Sequence, residues 1–154
     1  MEIISNMIEA HIFRETENGL EFLLLKRAKG EIYPGLWQMV TGKVELGETA
    51  YEAALREIKE ETGLKPGRLW VVPNVNTFYS HEMNTITLLP VFAAKVDDKE
   101  SVKLSEEHTQ SNWYKPEEAK SNLAWEGQRQ SVDLITRYHA KDRIFWDYIE
   151  IKLR

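Results

Sequence analysis

The segment 42–64, GKVELGETAYEAALREIKEETGL, constrains the fold and chemistry of this chain more than any other stretch of it. Residues 49–62 contain no Pro or Gly and are rich in Ala, Glu, Leu and Lys, which favour helix. Gly63 follows, and glycine is the usual residue just past a helix end. The segment therefore predicts a helix of about four turns over residues 49–62.

Three glutamates of this helix, Glu57, Glu60 and Glu61, are spaced so that their carboxylates share one face within one turn. Like charges at these spacings repel by roughly a few tenths of a kcal/mol per pair in water, and by more when they are partly buried. A cation is therefore expected among them. Hard oxygen ligands favour Mg²⁺ or Mn²⁺.

The remaining faces of the helix predict packing. A neighbouring apolar stripe for the core is expected from Tyr51, Leu55 and Ile58. Small side chains are expected on or beside the carboxylate face, where they would leave room for a loop and a phosphorylated ligand; these are Ala50, Ala53 and Ala54.

Arg56 lies four residues after Glu52 and four before Glu60, within reach of both carboxylates. A forked hydrogen bond from its guanidinium would hold a carboxylate in one rotamer and so orient a metal ligand. Upstream, the glycines at 42 and 47 allow a tight loop. That loop can turn the carbonyl of Thr41 or Gly42 toward the same cation.

An acidic, Ala-rich segment is often only a solvated helix face. The full spacing of fixed Gly, Glu and Arg residues argues against that reading, because a chance match in a chain of this length is on the order of 10⁻⁷. The segment resembles the Nudix box, G-x5-E-x7-R-E-U-x-E-E-x-G-U, where U is an aliphatic residue. The matching residues are Gly42, Glu48, Arg56, Glu57, Ile58, Glu60, Glu61, Gly63 and Leu64.

The resemblance to the Nudix family implies an α/β fold in which a mixed β-sheet is sandwiched between α-helices. It also implies a metal-dependent pyrophosphohydrolase in which water attacks phosphorus. By likeness, Glu60 and Glu61 would be principal metal ligands, and Glu57 either a third ligand or the general base. A glutamate outside the box often completes such a site. In SEEHTQSNWYKPEEA the first candidate is Glu107 and the second is Glu106.

Composition agrees with one globular domain over residues 1–154, in which 144–154 form an extension of uncertain structure. The chain has 154 residues, 42% of them hydrophobic and 29% charged, and no cysteine, which excludes disulfides and thiolate chemistry. No basic leader or membrane-length apolar run occurs, so a cytoplasmic protein is expected. The net charge of −5 argues against binding to long nucleic acids.

Strands are predicted at 7–13 and 20–27, joined by a hairpin turn, then at 36–40, 68–75, 75–79, 84–95 and 112–114. Pro73 and Pro90 favour strand edges, bends or ends. Helices are predicted from Pro116 and over 125–139. The C-terminal DRIFWDYIEIKLR fits either a strand or a short amphipathic helix, and it could cover a sheet edge or form a homodimer contact.

The substrate is expected to be a small nucleotide or pterin polyphosphate. WQ-x-VTG-x-V-E-x-GET, beginning at Trp37, resembles dihydroneopterin triphosphate pyrophosphatases and dATP-hydrolysing relatives, which implies cleavage of a triphosphate to a monophosphate and pyrophosphate. EFLLL together with SEEHTQSNWYKPEEA also resembles diadenosine tetraphosphate hydrolases of the same family. Both alternatives stay open at this point.

Several side chains are candidates for substrate binding. Lys26 and Arg27 end a strand and could grip a phosphate, although a solvated strand end fits equally. The other candidates are Trp37, Lys43, Tyr79 and His81. Further possible stacking faces or donors are Tyr33, Phe78, Trp113 and His108, whereas Trp125 and Trp146 are assigned to packing.

Two alternatives lie outside the enzyme class, a regulatory nucleotide-binding module without turnover and a purely structural protein. Modules of the first kind usually lack part of the glutamate set, and this chain lacks none of it. Both alternatives predict no metal-dependent hydrolysis, so one assay separates them from the enzyme.

Overall fold

The computed structural model of the chain describes residues 1–153 and contains nine strands and four helices within that range. In chain order they are β1 (Glu2–Ile4), β2 (Met7–Thr16), β3 (Gly19–Arg27), β4 (Trp37–Gln38), β5 (Val40–Lys43), α1 (Ala50–Thr62), β6 (Arg68–Ser80), β7 (Thr85–Lys95), β8 (His108–Tyr114), α2 (Pro116–Asn122), α3 (Glu126–Lys141), α4 (Arg143–Tyr148) and β9 (Glu150–Ile151). Arg154, the last residue of the expected extension, lies outside the described residues.

The strands form one mixed sheet with the order β4-β3-β2-β7-β6-β9. The central pair, β2 and β7, is parallel, as is the pair β1 and β7, whereas the other pairs are antiparallel. β5 extends the sheet beside β2, and β8 lies along β3. This arrangement confirms the predicted mixed sheet.

Residues of β2 alternate between the two faces of the sheet, as the pleat requires. Ile8, Ala10 and Ile12 enter the core cluster that contains the buried residues of α1, so we call this side the α1 face. Phe13 enters the cluster that contains α3 and α4, so the opposite side is the α3 face. Helices therefore cover both faces, which confirms the predicted sandwich.

Helix α1 follows the sequence prediction closely. Thr49 is its N-cap and forms a capping box with Glu52, and Gly63 ends it in the left-handed region at φ 73°. The expected role of its small residues is wrong. Ala53 and Ala54 are completely buried in the core, so their size lets the helix approach the sheet rather than a ligand.

The apolar stripe of α1 is confirmed in part. Ile58 is completely buried, whereas Tyr51, Leu55 and Ala50 are half-buried and pack at the margin of the same core.

Two of the predicted strands merge. β6 runs from Arg68 to Ser80 across a register shift between Val71 and Val75, and Pro73 lies in that irregular stretch. Pro90 lies between the part of β7 that pairs with β1 and the part that pairs with β2, so its missing N–H falls at a gap in the ladder. The predicted 112–114 strand begins earlier, at His108, and the predicted 36–40 strand is split into β4 and β5.

The C-terminal segment adopts both predicted structures in succession, the short helix α4 and then the edge strand β9 beside β6. Trp146 of α4 stacks on Trp70 with ring centroids 4.5 Å apart, and its burial confirms the assignment to packing. The segment therefore covers the outer edge of the sheet in the monomer.

Candidate active site

Helix α1 packs against strand β5. Gly42 pairs with Ile8 of β2, and a Cβ built on Gly42 would lie 2.2 Å from Cδ of Glu57. No side chain fits at that distance. The glycine therefore lets the Glu57 carboxylate rest against the strand backbone.

Arg56 forms hydrogen bonds with three glutamates, Glu48, Glu57 and Glu60. Its Nε and one terminal nitrogen donate to the two oxygens of Glu48 at 2.9 and 2.8 Å. Its other terminal nitrogen donates to Glu57 at 2.9 Å and to Glu60 at 3.2 Å. The carbonyl of Lys43 accepts a further hydrogen bond at 2.8 Å, which ties the guanidinium to the loop after β5. One side chain thus joins two carboxylates of the helix to that loop.

The expected contact between Arg56 and Glu52 is wrong. Glu52 instead accepts a hydrogen bond from the Thr49 backbone amide at 2.9 Å and completes the capping box. Glu48, eight residues from Arg56 along the chain, takes the place that the i,i+4 spacing suggested for Glu52. Hydrogen bonds from Arg56 and from the Glu45 backbone amide lower the pKa of Glu48 to about 2, so it stays ionised.

Glu61 lies in a very different environment. Its side chain is buried, with 3% of the residue exposed, and Oε2 has no hydrogen-bond partner among the described residues. Burial, followed by the charges of Glu57 and Glu107, raises the pKa of Glu61 to about 9. Burial likewise raises the pKa of Glu57, although Arg56 opposes the shift. A divalent cation would offset the burial and mutual repulsion of these carboxylates, so the donor set fits a metal ion.

The turn just before strand β8 carries the remaining candidate carboxylate, Glu107, into this region. Ligand atoms of Glu61, Glu107 and His108 all lie within 4.8 Å of one another, a spacing that a single ion can bridge. The carbonyl of Glu107 accepts a hydrogen bond from the Ala28 amide at 2.9 Å, which fixes it beside the end of β3. Glu106, the second candidate, is exposed and is not part of this group.

Arg27 also reaches the cluster. It pairs in register with His108, its Nε donates to the carbonyl of Ile32, and its charge opposes the rise in the pKa of Glu61. Burial lowers the pKa of His108 to about 4, and the charge of Arg27 adds to this effect. The end of β3 therefore brings one fixed cation close to the carboxylates.

The other substrate-binding candidates are dispersed. Lys26 is half-buried beside Trp37, whose ring packs edge-on against Tyr114 with centroids 5.8 Å apart. Lys43 is exposed at the end of β5. None of these contacts decides a role in binding.

The structure does not bring Tyr79 or His81 to the carboxylates. Tyr79 pairs with Ile86, and its hydroxyl donates to Asn84 at 2.9 Å, while His81 is exposed in the turn between β6 and β7. Both residues lie at the tip of the β6–β7 hairpin, and β2 and β7 lie between β6 and β3, the strand that ends at Arg27.

Sequence comparison decides the family. Residues 7–135 match the model of the NUDIX domain. The chain belongs to the Nudix family. It is accordingly a Nudix hydrolase, a pyrophosphohydrolase of a family that generally needs divalent metal ions.

Three relatives of this Nudix chain illustrate the range of the similarity. The bis(5'-nucleosyl)-tetraphosphatase [asymmetrical] of Mus musculus is 31% identical over 116 residues, which cover 71% of this chain and 74% of that protein. The octanoyltransferase of Myxococcus xanthus is 35% identical over 109 residues, 66% of this chain but only 29% of that protein. The E. coli dihydroneopterin triphosphate pyrophosphohydrolase structure superposes with a TM-score of 0.69 at 24% identity, covering 84% and 93% of the two chains.

Within residues 1–153, the Nudix domain has no helix of the length and hydropathy needed to cross a membrane. Among its aromatic candidates, Tyr33 and Trp125 are largely exposed and meet edge-on with ring centroids 5.4 Å apart. Trp125 therefore packs against Tyr33, as expected, while part of its ring stays exposed. Trp113 is covered by the guanidinium of Arg14, 4.2 Å from the ring centroid, whereas Phe78 is half exposed.

The sequence analysis missed a second buried glutamate. Glu9 accepts hydrogen bonds from His11 at 2.7 Å, Asn76 at 3.0 Å and Gln128 at 3.3 Å on the α3 face. Burial alone would raise the pKa of Glu9, but these hydrogen bonds outweigh it and the pKa is lowered. Two polar residues in the otherwise apolar MIEAHIF were the available signal. Gln38 was also missed, and the sequence offered no cue that it meets His108.

Proposed function

We propose that this Nudix hydrolase cleaves a phosphoanhydride bond in a small nucleotide or pterin polyphosphate with the help of Mg²⁺ or Mn²⁺. The observation that carries the proposal is the environment of Glu61, a buried carboxylate faced by Glu57 and Glu107 with one oxygen lacking any donor. Such a group needs a cation to be ionised near neutral pH. The proposed ligands are the carboxylates of Glu57, Glu60, Glu61 and Glu107 and the carbonyl of Gly42.

The residues of the cluster then have separate roles. Glu60 and Glu61 bind the metal, and Arg56 orients Glu57 and Glu60 through its hydrogen bonds. When bound, the metal neutralises phosphate charge and makes a water molecule more acidic. Glu57 or Glu107 accepts a proton from the attacking water. The water oxygen bonds to phosphorus, the phosphoanhydride P–O bond breaks, and the leaving phosphate chain keeps the electron pair of that bond.

Cations outside α1 would hold the phosphate chain. Arg27 is the best placed of these, because it pairs with His108 and its positive charge favours the ionised form of Glu61. Lys26 and Lys43 are further candidates at the ends of β3 and β5. We keep Trp37 as a candidate ring contact, together with the exposed faces of Tyr33 and Trp125.

A nucleoside or dihydroneopterin triphosphate is our first candidate substrate, with a monophosphate and pyrophosphate as products. The support is the run WQMVTGKVELGET, which resembles dihydroneopterin triphosphate pyrophosphatases and dATP-hydrolysing relatives. In the structure this run forms β4, β5 and the loop that leads to helix α1. The residues of the resemblance are thus the residues around the proposed metal site.

A dinucleoside tetraphosphate is the second candidate. The similarity to the mouse bis(5'-nucleosyl)-tetraphosphatase, 31% identity over 74% of that protein, favours it. The run SEEHTQSNWYKPEEA favours it too, since it supplies Glu107 and His108. The two candidates share one chemistry and differ in what lies beyond the phosphates. A cytoplasmic location and a homodimer remain predictions.

The test is a hydrolysis screen with Mg²⁺ or Mn²⁺ over dihydroneopterin triphosphate, the deoxynucleoside triphosphates and diadenosine tetraphosphate, with products separated by chromatography. Pyrophosphate plus a monophosphate from a triphosphate would support the first candidate, and ATP released from the dinucleotide would support the second. Reactions in ¹⁸O-water would show which phosphorus is attacked. Absence of any metal-dependent product, with EDTA as the control, would refute the proposed chemistry.

A further inference from the structure

A buried polar pair lies beneath the carboxylate cluster, on the α1 face of the sheet. Gln38 of β4 and His108 of β8 flank β3 on opposite edges, pairing with Leu25 and Arg27 respectively. Their exposed fractions are only 6% and 4%. The side chains meet across β3, with Nε2 of Gln38 and Nε2 of His108 3.2 Å apart.

The contact with Gln38 bears on which nitrogen of His108 carries the proton. With the Gln38 amide nitrogen facing Nε2, as the structure has it, the amide N–H donates, Nε2 accepts and the ring proton lies on Nδ1. Nδ1 lies 3.9 Å from Oε1 of Glu61. It has no other hydrogen-bond partner among the described residues, and neither has the second oxygen of Glu61. The imidazole N–H therefore faces a carboxylate that lacks a donor.

We propose that His108 is a positioning residue for Glu61, with Gln38 fixing its tautomer so that the Nδ1–H group holds the Glu61 carboxylate in its metal-binding orientation. A movement of the Glu61 carboxylate by about 1 Å would bring its oxygen within hydrogen-bond distance of Nδ1 of His108. The inference rests on the proposed role of Glu61 as a metal ligand. Groups that orient a metal ligand in this way typically change metal affinity or activity by about 10- to 100-fold when removed.

The same geometry argues against a role for His108 as a metal ligand. A coordinating Nδ1 needs a lone pair, and the hydrogen bond from Gln38 leaves the lone pair on Nε2 instead. Mg²⁺ also prefers oxygen ligands, which the surrounding glutamates supply. The closeness of Glu61, Glu107 and His108 is then explained by a hydrogen bond to a ligand, with the metal held by the carboxylates.

The test compares two amides at position 108. The side-chain nitrogen of asparagine occupies nearly the place of Nδ1, whereas that of glutamine occupies nearly the place of Nε2. We expect His108→Asn to keep Mn²⁺ affinity within about threefold of the unaltered protein. His108→Gln should weaken it by about 10- to 100-fold and lower kcat more than it changes KM. Gln38→Met should weaken Mn²⁺ binding by a smaller factor, since it removes only the hydrogen bond that favours the Nδ1–H tautomer of His108.

Mn²⁺ affinity is measured by the electron paramagnetic resonance signal of the free ion, which needs no turnover. Equal affinities in His108→Asn and His108→Gln would overturn the proposal, and so would a directly coordinated ¹⁴N detected by pulsed resonance in the Mn²⁺-loaded protein. His139→Asn is the matched control, because His139 contacts Glu15 far from the cluster. Melting curves of every variant check that the fold is retained.

Glu61→Gln separates this inference from the proposed metal site. If Glu61→Gln binds Mn²⁺ as tightly as the unaltered protein, the assignment of Glu61 as a ligand fails and the role of His108 fails with it. If Glu61→Gln loses Mn²⁺ but His108→Gln does not, the metal site stands and only the positioning role is wrong.

Discussion

Glu9 and Glu61 are both almost completely buried, on opposite faces of one sheet, yet their surroundings act on them in opposite directions. Hydrogen bonds from His11, Asn76 and Gln128 surround Glu9 and lower its pKa. Glu61 meets other carboxylates, and burial together with their charge raises its pKa to about 9. A buried carboxylate with donors around it holds structure together, whereas one among other carboxylates requires a cation.

The surroundings of Glu9 and Glu61 also differ in how the polar atoms of each site are paired. The α3 face closes over Glu9 with amide groups, and a Cβ on Gly127 would lie 1.9 Å from the side-chain oxygen of Asn76. Around Glu61 one carboxylate oxygen and one ring nitrogen of His108 have no partner within residues 1–153. Unpartnered polar atoms also occur beside Glu9, where Nδ1 of His11 and Oε1 of Gln128 have no partner in the same range of residues, but there the carboxylate itself is hydrogen-bonded. At Glu61 the unpartnered atom belongs to the carboxylate, as expected for a group that completes itself with a ligand.

The largest effect expected from the comparison is on turnover. Glu61→Gln removes a charged metal ligand but almost no volume, so we expect kcat to fall by at least about 100-fold. Glu60→Gln should behave in the same way. Steady-state hydrolysis of the best substrate at saturating Mg²⁺ measures this. Glu2→Gln, at an exposed position in β1, is the control, and an unchanged rate in Glu61→Gln would remove that residue from the metal site.

Gly42→Ala tests the close approach of Glu57 to β5. A Cβ at 2.2 Å from Cδ of Glu57 must displace that carboxylate, so kcat should fall by about tenfold or more. The unfolding free energy should also fall, by about 1–3 kcal/mol. Gly67→Ala is the matched control, because nothing lies within 4 Å of its Cβ. Full activity in Gly42→Ala would show that the position of Glu57 is unimportant.

Glu9→Gln addresses the other side of the comparison. It leaves an amide among three donors and removes the negative charge that they stabilise, so the unfolding free energy should fall by about 1–3 kcal/mol. Urea denaturation measures the change. In the same metal-free assay Glu61→Gln should change stability by less than about 0.5 kcal/mol, since its neutral amide resembles the protonated acid. A larger loss in Glu61→Gln than in Glu9→Gln would reverse our interpretation.

The smallest expected effect is a pH dependence of stability without metal. The pKa of Glu61 is raised from 4.5 to about 9 in the folded state, so the folded protein binds a proton that the unfolded chain releases. The stability that this proton contributes is present below pH 4.5 and is lost as pH rises toward 9. With EDTA present, Tm should therefore fall by about 3 °C or more between pH 5.5 and pH 8.5.

Two comparisons check that this pH dependence comes from Glu61. The fall in Tm should be smaller in Glu61→Gln, which carries no titratable group at that position. Saturating Mg²⁺ should raise Tm more at pH 8.5 than at pH 5.5, because the ion binds the ionised carboxylate. A Tm that is independent of pH in the metal-free protein would contradict the raised pKa.

Helix α1 shows how far local reasoning reaches. Its C-terminal limit and its closing glycine follow from propensities that act within a few residues, and both were predicted. The helix begins at Ala50, one residue later than predicted, because Thr49 is the N-cap, a role that the sequence analysis did not assign. The same reasoning assigned Glu52 to Arg56 because of the i,i+4 spacing, but Glu52 is used by the helix cap and Glu48 reaches Arg56 from the preceding loop. The fold of the loop, which spacing along a helix does not describe, decided that partnership.

The substrate-binding candidates show where reasoning from local sequence stops. Arg27 and Tyr79 both end or nearly end a strand in the sequence, yet only Arg27 comes to lie beside the carboxylates. β3 and β6 both run opposite to β2, so the two residues lie toward the same end of the sheet, but β2 and β7 separate β6 from β3, whereas β8 lies directly beside β3. A linear pattern identifies a strand end but not which strands will lie beside it.

The sequence by itself determined helix α1, the spacing of its glutamates and arginine and the mixed-sheet sandwich, because each depends on local periodicity or on a motif within 23 residues. The tertiary structure alone decided which glutamate is buried among like charges and which is surrounded by donors. It also brought Gln38 and His108 together over 70 positions. Desolvation and charge arrangement depend on neighbours across the sheet, and those neighbours exist only once the chain has folded.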